Sequence, residues 1–239
     1  MPVTWLDGKS FDFPAIDKAL TDPDGLLAAG GDLSVNRLLA AYRNGIFPWY
    51  EEGYPILWWS PDPRMVLLPS QIHVARSLRK LIRKNSYEVT MDRDFENVIR
   101  NCAGSRPYCS GTWITKAMQA AYNDLHRLHY AHSVEVWHGD RLVGGLYGVA
   151  LGQIFFAESM FSHENNTSKL ALVFLAKQLQ AWNFKLIDCQ IISNHLRTLG
   201  AATMGRTEFY QRVQNLVGKP DKPDRWQLEI NQQRVGYEF

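Results

Sequence analysis

The sequence predicts an α+β fold in which a small N-terminal domain, residues 1–63, precedes a larger mixed-sheet domain, residues 64–239. Residues 132–161 have the pattern of three strands joined by short turns at "HGDR" and "LGQ". A long helix over 168–184 and a further strand over 185–192 follow them. Three antiparallel strands, then a helix, then another strand are typical of an α+β or mixed-sheet domain.

The N-terminal domain is predicted from its many turn signals, among them "DPDG", "GG" and "FPW". One helix is expected over Ser34–Asn44, because Ser34 can cap its start and Gly45 suits its C-terminal stop. The prolines of "SPDP" at 60–63 disfavour both a helix and a central strand. A domain boundary is therefore expected at that point.

The remainder of the larger domain alternates between strands and helices. Strands are predicted at "RMVLLP" and "YEVTMD", and helices at "SQIHVARSLRKLIRKN", "RDFENVIRNCAG" and "TKAMQAAYNDLHRLHYA". Short helices are predicted at "HLRTLG" and "RTEFYQRVQNLV". The polar tail after Lys219 contains prolines and is expected to be a loosely held end.

The composition limits the classes of function. A chain of 239 residues fits one or two domains, and with a net charge of +2 any affinity for nucleic acid must come from local clustering of cations. Three cysteines at irregular spacing argue against a disulfide framework and a zinc cluster, which fits a cytoplasmic protein. Neither a secretory signal nor an apolar run of membrane-spanning length is present in the sequence.

One predicted helix carries a cluster of cations. When "HVARSLRKLIRK" is wound at about 100° per residue, its apolar side chains fall on one arc. Five cations fall on the opposite arc: Arg76, Arg79, Lys80, Arg83 and Lys84. The first hypothesis is a solvated surface face. Like charges three or four residues apart repel one another, and a polyphosphate partner would remove that repulsion. Nucleic-acid binding is therefore the second hypothesis.

Several tryptophans lie in loops rich in Gly and Pro. Trp49, Trp58, Trp59 and Trp113 belong to "GIFPWY", "PILWWSPDPR" and "GTWIT". Such residues often pin a loop to the body of a domain. Loops also assemble ligand pockets more readily than sheet centres do. Core packing and an apolar binding pocket are both open interpretations.

Three polar residues interrupt two apolar strands. Glu158 lies in "FFAESMF", while Asp188 and Gln190 lie in "LIDCQII" and are two residues apart, so they share a face of their strand. A buried carboxylate is costly unless it is paired or hydrogen-bonded. A structural network would explain one such residue. Three of them favour a polar functional site, particularly if the two strands are neighbours.

Other familiar signatures are weak or missing from the sequence. The spacing of His126, His129 and His132 spreads them around a helix, so a metal site is not expected. The sequence contains no P-loop, GxSxG or CxxC motif. "GGLYG" lacks the flanking pattern of a dinucleotide-binding loop and is interpreted as glycines in a strand or turn.

Long motifs in unbroken order cover most of the chain, from about residue 25 to residue 202. They are "GLLAAGGDLS", "AYRNGIFPWY", "PILWWSPDPR", "GTWIT", "AHSVEVW", "LVGGLYGVALG", "ESMFS", "KLIDCQ" and "HLRTLGA". With them the sequence closely resembles the bacterial leucyl/phenylalanyl-tRNA–protein transferases. The resemblance implies a cytoplasmic enzyme, without metal or cofactor, that moves Leu, Phe and, less well, Met from Leu-tRNA, Phe-tRNA or Met-tRNA onto proteins with N-terminal Arg or Lys. The product would be marked for N-degron proteolysis.

The resemblance also implies an architecture and a set of site residues. The larger domain would be GNAT-like, as in acyl-CoA N-acyltransferases, but used without acetyl-CoA, and the protein would be a monomer. Asp188 and Gln190 would form the catalytic pair, and Glu158 would place the acceptor end of the aminoacyl-tRNA. The five cations of the basic helix would bind the tRNA. The aminoacyl side-chain pocket would contain Trp49, Trp113, Phe155 and Met160, with Phe174 or Leu175 as a further wall. The family has a Phe at the position of Leu175.

The expected reaction is aminolysis of an ester, in which the α-amine of the acceptor attacks the carbonyl that joins the amino acid to the tRNA ribose. Asp188 would orient Gln190 by hydrogen bonding, and the Gln190 amide oxygen would accept a hydrogen bond from the amine. Whether Gln190 accepts a proton or only positions the amine stays open. Asp188 or Glu158 would also contribute to a subsite for the acceptor's cation.

Two other functions compete with this one. A CoA-dependent acetyltransferase would share the fold, but "GLYGVALG" lacks the usual basic residues before a pyrophosphate loop. A non-enzymatic tRNA-binding module would need only the basic helix, and not the polar residues in the two strands.

Overall fold

The computed structural model describes residues 3–104, 112–220, 222, 224–231 and 235. The strands are β1 (Thr4–Leu6), β2 (Leu26–Gly30), β3 (Phe47–Pro48), β4 (Leu57–Trp59), β5 (Arg64–Leu67), β6 (Glu88–Met91), β7 (Ala131–His138), β8 (Arg141–Leu151), β9 (Ile154–Ser162), β10 (Leu186–Gln190) and β11 (Ala202–Met204). The helices are α1 (Val35–Arg43), α2 (Arg76–Lys84), α3 (Phe95–Cys102), α4 (Lys116–Arg127), α5 (Thr167–Ala181), α6 (Asn194–Arg197) and α7 (Arg206–Leu216).

The described part of the chain contains two β-sheets. The first four strands make a small sheet in the order β1-β2-β4-β3. The other seven make a mixed sheet in the order β11-β5-β10-β9-β8-β7-β6, in which only β9 and β10 run parallel and all other neighbours are antiparallel. The predicted α+β fold, with an N-terminal piece followed by a mixed sheet, is confirmed. The meander β7 to β9, helix α5 and strand β10 follow the predicted order.

The seven-stranded sheet has an apolar layer on each face. Neighbouring residues of one strand enter different layers, as Leu186 and Ile187 of β10 do, because successive side chains of a strand point to opposite faces. On the first face the sheet packs against α3, α4, α7 and the N-terminal sheet with α1. On the second face it packs against α2, α5 and the C-terminal segment. We call these two layers the first and the second core.

The strands of the N-terminal sheet are missed by the sequence patterns. They contain two to five residues each, too few to show a regular alternation of apolar and polar side chains. The predicted helix is present: α1 begins after Ser34, and Gly45 follows it with a φ of +68°. The expected cap is wrong, since the Ser34 side chain makes no capping hydrogen bond. Because α1 and Trp58 belong to the first core, the N-terminal piece and the large sheet share one apolar layer.

Two predicted elements are shorter than expected. The helix predicted from Ser70 begins only at Arg76, because Pro69–Gln71 form a 3₁₀ turn and the His73 N–H donates to the carbonyl of Leu199 instead of to a helical partner. The strand predicted to include Ile191 and Ile192 ends at Gln190. Both isoleucines are about half exposed rather than buried.

The expectation of a loosely held tail is wrong for the residues that the structure describes beyond Lys219. Trp226 is 1% exposed, and its indole ring stacks on the imidazole of His132 with 3.8 Å between ring centroids. The backbone N–H of Trp226 donates to the Asp92 carboxylate at 2.7 Å, and the Arg225 guanidinium donates to the backbone carbonyl of Asp92. The polar composition does not predict this anchor, because only a few residues of the segment, Trp226 among them, pack into the second core.

Within the described ranges, no helix has the length and apolar character needed to cross a membrane.

Candidate functional site

The candidate site lies where the two parallel strands of the large sheet separate. Strands β9 and β10 pair at three positions, and the last pair is Phe156 with Asp188. Two residues farther along each strand stand Glu158 and Gln190. Their side chains bridge the gap: the Gln190 amide Nε2 donates to Glu158 Oε1 at 2.7 Å. The polar residues predicted in two apolar strands thus lie on neighbouring strands and make one direct contact.

Irregular pairing on both strands creates this arrangement. On β9, the register against β8 shifts at Glu158, which stands opposite the junction of Tyr147 and Gly148. On β10, the register against β5 shifts between Asp188 and Gln190. Gln190 has a φ of +63°, in the left-handed region that non-glycine residues rarely adopt. Bulges and such backbone conformations concentrate at functional sites, where the surrounding structure maintains them.

Glu158 is buried within a cluster of hydrogen-bond donors. The hydroxyl of Tyr42 lies 2.8 Å from Oε1, the hydroxyl of Tyr122 lies 3.0 Å from Oε2, and the two hydroxyls also contact each other. Burial raises the pKa of Glu158 to about 7; the hydrogen bonds from Tyr42, Tyr122 and Gln190 oppose this rise, and the charge of Asp188 adds to it. Burial, together with Glu158, raises the pKa of both tyrosines, which therefore stay protonated.

The number of protons in this cluster depends on the state of Glu158. Three pairs of oxygen atoms are in contact among Tyr42, Tyr122 and Glu158. With an ionised Glu158 only two hydroxyl protons serve these three contacts. A protonated Glu158 supplies the third proton, so that each contact contains one. The geometry and the raised pKa of Glu158 agree that this carboxyl can hold a proton near neutral pH.

Asp188 is fully buried and paired with an arginine that the sequence patterns did not assign to the site. Arg64 Nε donates to Asp188 Oδ1 at 2.8 Å, and Arg64 Nη2 donates to Oδ2 at 2.6 Å. Asp188 Oδ1 also accepts the backbone N–H of Gln190 at 2.9 Å. The expected orienting contact is therefore made with the Gln190 backbone, while the Gln190 side chain donates to Glu158. The bulge at Gln190 is the physical reason for this difference.

Trp49 lies beside the site in a cleft between the N-terminal piece and the end of β10. It is 39% exposed. The cleft has a volume of about 210 Å³ and is mostly apolar; its lining consists of Asp24, Phe47, Trp49, Trp59, Pro61, Pro63, Ile191 and Ile192. A dry apolar cavity of about 150 Å³ already holds benzene, so this cleft can accept one ring or one branched aliphatic group. Two of its lining residues, Ile191 and Ile192, directly follow Gln190 in the sequence.

The other expected pocket residues divide between the two faces of the sheet. Trp113 is partly buried against the first core. Phe155, Met160, Phe174 and Leu175 belong to the second core or pack against it. Phe174 and Leu175 point in different directions from α5, and Phe174 lines a small cavity together with Leu81 and Ile82 near α2. Side chains from opposite faces can approach one ligand only where the sheet opens, as it does between β9 and β10.

The basic helix has the amphipathic form that the sequence predicts. Leu78 and Ile82 of α2 are buried in the second core. Four of the five cations are exposed, and the fifth, Arg79, is partly buried. Arg76, Lys80 and Lys84 follow one another at intervals of four residues and form a stripe along the outer side of the helix.

The described residues contain no group of three or more His, Cys, Asp or Glu side chains placed to hold a metal ion. The three histidines of the predicted helix do not share it. Only His126 lies within α4; His129 follows the end of that helix, and His132 belongs to β7. Cys102 and Cys189 are buried free thiols, and burial raises the pKa of Cys189. Cys109 lies outside the described residues.

Sequence reasoning missed three residues of the site: Arg64, Tyr42 and Tyr122. Arg64 opens a strand whose other residues are apolar, so an isolated charge in a buried strand was a usable signal. Tyr42 lies among apolar residues of α1, and Tyr122 lies among small residues of α4. Nothing in their local patterns shows that both hydroxyls meet one carboxyl.

Comparison with known proteins identifies one family. A model of the leucyl/phenylalanyl-tRNA protein transferase family matches residues 66–214, and the model of that family's N-terminal domain matches residues 31–62. A leucyl/phenylalanyl-tRNA–protein transferase of Pseudomonas fluorescens (strain Pf-5) is 56% identical over 220 residues, which cover 92% of this chain and 97% of the relative. One of Pseudomonas aeruginosa (strain PAO1) is 55% identical over 222 residues, covering 93% and 98%.

The solved structures that align with this chain are distant in sequence. L-PGS from Bacillus licheniformis aligns with a TM-score of 0.46 and 8% identity, covering 73% of this chain and 67% of that one. An aminoglycoside acetyltransferase from an uncultured soil sample aligns with a TM-score of 0.36 and 12% identity, covering 59% and 95%. The family matches define an aminoacyltransferase. The chain belongs to the leucyl/phenylalanyl-tRNA protein transferase family.

Proposed function

We propose that this enzyme transfers Leu, Phe and, less efficiently, Met from aminoacyl-tRNA to the N-terminal Arg or Lys of acceptor proteins in the cytoplasm, and that the product is marked for N-degron proteolysis. The family membership supports the transfer from tRNA to protein. The observation that carries the proposal for the site is the contact between Gln190 and Glu158 across the gap between β9 and β10. This gap is where a polar reaction centre meets apolar walls.

Gln190 acts on the attacking amine in this proposal. Because its Nε2 donates to Glu158, its amide oxygen is left to accept an N–H from the α-amine of the acceptor. An α-amino group has a pKa of about 7.7 to 8.0, so roughly a tenth or more is neutral and nucleophilic at pH 7. A neutral amide is a poor base, and positioning is its principal role. Correct positioning of two reactants can lower a barrier by up to about 7 to 11 kcal/mol.

The bonds change as in any ester aminolysis. The amine nitrogen forms a bond with the carbonyl carbon of the aminoacyl ester, and the bond from that carbon to the ribose oxygen breaks. One amine proton leaves the nitrogen, and the ribose oxygen takes up a proton as it departs as a hydroxyl group. Glu158, with a pKa of about 7, holds or releases a proton next to this centre. The ester itself supplies the driving force.

The aminoacyl side chain is proposed to lie beside the Gln190–Glu158 contact that bridges the two strands. Trp49 and Trp113 would bound it on one side, and Phe155, Met160 and Leu175 would bound it from the second core. Leu175 is preferred to Phe174 as the wall, since Phe174 lines the cavity near α2. An apolar cavity separates ligands that differ by one methylene by only about 1 to 3 kcal/mol. Acceptance of Leu, Phe and Met by one pocket is therefore reasonable.

The tRNA is proposed to lie along the basic helix. The five cations Arg76, Arg79, Lys80, Arg83 and Lys84 extend over about two turns, and the burial of Leu78 and Ile82 fixes their face toward solvent. The phosphate backbone of an acceptor stem would neutralise their mutual repulsion.

We also propose a division of the chain into domains 1–63 and 64–239, which the two separate sheets support. We further propose that the enzyme is a monomer.

One assay distinguishes this function from the two competing ones. Purified protein is incubated with Phe-tRNA labelled in the amino acid, together with matched peptides that begin with Arg, Lys, Ala or N-acetylated Arg. We expect label on the Arg and Lys peptides and none on the acetylated peptide, which has no free amine. Transfer of an acetyl group from acetyl-CoA, without any transfer from tRNA, would favour the acetyltransferase. Binding of tRNA with no transfer would favour the binding module.

A further inference from the structure

Arg64 makes the most constrained set of contacts near the candidate site. Its guanidinium pairs with both carboxylate oxygens of Asp188, at 2.8 and 2.6 Å. The guanidinium carbon also lies 4.6 Å from the ring centroid of Phe47 and 4.6 Å from that of Phe209. Phe47 belongs to the N-terminal sheet and Phe209 to α7. A planar cation held between two rings and a carboxylate has very little rotational freedom.

The same carboxylate is connected to the backbone of Gln190. Asp188 Oδ1 accepts the Gln190 N–H at 2.9 Å as well as Arg64 Nε. Gln190 needs such support, since a left-handed φ of +63° is unfavourable for a side chain of this kind unless the surroundings maintain it. The bulge leaves Cys189 unmatched on β5, between Asp188 opposite Val66 and Gln190 opposite Met65. The hydrogen bond from the Gln190 backbone N–H to Asp188 spans this irregularity.

The electrostatics favour a structural rather than a proton-transferring role for Asp188. Both oxygens are engaged by a cation that is itself only 1% exposed. Without this partner, the fully buried carboxylate would lose a charge-assisted bidentate contact and its charge would be left uncompensated. This loss would disturb the acceptor that holds the Gln190 N–H. The geometry of Gln190 therefore depends on Arg64, which does not contact Gln190 itself.

We propose that Arg64 is a positioning residue for the transfer reaction: through Asp188 it holds the Gln190 backbone in the bulge that presents the side-chain amide to Glu158 and to the attacking amine. This inference rests on the proposed function. It also gives Phe47 and Phe209 a role, because they fix the guanidinium from the N-terminal sheet and from α7. The N-terminal piece then contributes to the shape of the reaction centre and not only to the core.

The test uses Arg64→Lys and Arg64→Ala, with Arg37→Lys as a matched control. Arg37 is also fully buried, pairs with Asp32 and donates to two backbone carbonyls, but it makes none of the contacts of the site. A displacement of about 1 Å at a reaction centre can cost about 100-fold in rate. We expect Arg64→Ala to lower kcat by about that factor and leave KM for Phe-tRNA within about twofold. Arg64→Lys should be intermediate, and Arg37→Lys should retain the wild-type kcat.

Two further readouts separate positioning from mere stability. Methylguanidinium, added to Arg64→Ala, should restore part of the lost kcat, because it can occupy the place between Phe47 and Phe209. Hydrogen exchange of the Gln190 backbone amide should be faster in Arg64→Lys than in the wild type and unchanged in Arg37→Lys. If Arg64→Ala does not fold, Arg64→Lys carries the kinetic and exchange tests.

The outcomes also separate this inference from the proposed function. A wild-type enzyme that transfers no Phe to an Arg peptide would overturn the function, and exchange of the Gln190 amide would still test the link to Arg64. A folded Arg64→Lys variant with wild-type kcat and wild-type protection of the Gln190 amide would overturn the inference. Loss of kcat to the same extent in Arg37→Lys would overturn it as well, since the effect would then follow from stability alone.

Discussion

The amide nitrogen of Gln190 lies 2.7 Å from Glu158 Oε1, across the point where β9 and β10 cease to pair. The contact closes a gap in the sheet with side chains instead of backbone hydrogen bonds. It also fixes the direction of the Gln190 carbonyl oxygen, because Glu158 Oε1 accepts from the amide nitrogen and the amide oxygen points away from it. The amide oxygen, which we propose as the acceptor for the incoming amine, therefore stands beside a carboxyl whose pKa is about 7.

Removal of the Gln190 side chain tests its role toward the amine. In Gln190→Ala the oxygen proposed to accept from the amine is lost, whereas the proposed tRNA contacts on α2 remain. We expect kcat to fall by about 100- to 1,000-fold, the range for loss of one preorganised polar contact, with KM for Phe-tRNA almost unchanged. Single-turnover transfer to an Arg peptide measures this. Gln211→Ala, at an exposed position of α7, is the control; equal activity of Gln190→Ala and Gln211→Ala would exclude the role.

The pH dependence of stability tests the state of Glu158. Its folded-state pKa is about 7, above the ordinary value of 4.5, so the folded protein binds a proton more tightly than the unfolded chain does. The associated stabilisation is fully present below about pH 4.5 and is lost as the pH rises to about 7, with a total of roughly 3 kcal/mol. Glu158→Gln should lack this decline. Urea unfolding of both proteins between pH 5 and 8 checks the difference in slope; parallel pH profiles would show that Glu158 is ionised throughout.

Removal of cations from α2 tests the proposed tRNA surface. Arg76, Lys80 and Lys84 form one exposed stripe, and changing all three to Ala should weaken binding of Phe-tRNA. If each contacts a phosphate, the slope of log affinity against log salt should fall by about 0.7 to 0.9 for each residue. A control of equal charge is Arg127, Arg141 and Arg212 changed to Ala, all exposed and on other elements. An identical loss in both triple variants would indicate an effect of net charge only.

Replacement of Trp226 tests the docking of the C-terminal segment. Its ring stacks on His132 and approaches Phe155, Trp182 and Phe184 within the second core. Truncation of a buried aromatic residue to Ala costs about 3 to 5 kcal/mol, so Trp226→Ala should lower the free energy of unfolding by that amount. Chemical denaturation measures it. A change below about 1 kcal/mol, as is usual for surface substitutions, would mean that the segment does not stabilise the fold.

The central strands of the large sheet were predictable because they are long and periodic, whereas the three-residue edge strand β11 was not predicted. Strands β7 to β9 contain eight to eleven residues each, and α5 contains fifteen. The polar residues Glu158, Asp188 and Gln190 also stood out, since polar side chains in apolar strands need partners. The amphipathic form of α2 followed from the spacing of its leucine, isoleucine and cations.

The partners of those polar residues were not predictable from local patterns. Arg64 and Asp188 are 124 positions apart in the sequence, and Tyr42 and Glu158 are 116 positions apart. Such pairs depend on the order of the strands and on where the N-terminal piece packs. No glycine or other sequence signal predicts the bulge at Gln190. Because of this bulge, Asp188 accepts a hydrogen bond from the Gln190 backbone N–H. The short strands of the N-terminal sheet were missed because they are too short to show a regular alternation of apolar and polar residues.

The most direct measurement of the central claim is single-turnover transfer of labelled Phe from Phe-tRNA to a peptide that begins with Arg, compared between the wild type and Gln190→Ala. The wild type should form the extended peptide in one turnover, and the variant should bind Phe-tRNA with unchanged affinity but form the product about 100-fold or more slowly. Equal rates in the two proteins, or release of free Phe without any extended peptide in the wild type, would contradict a reaction centre built around Gln190 and Glu158.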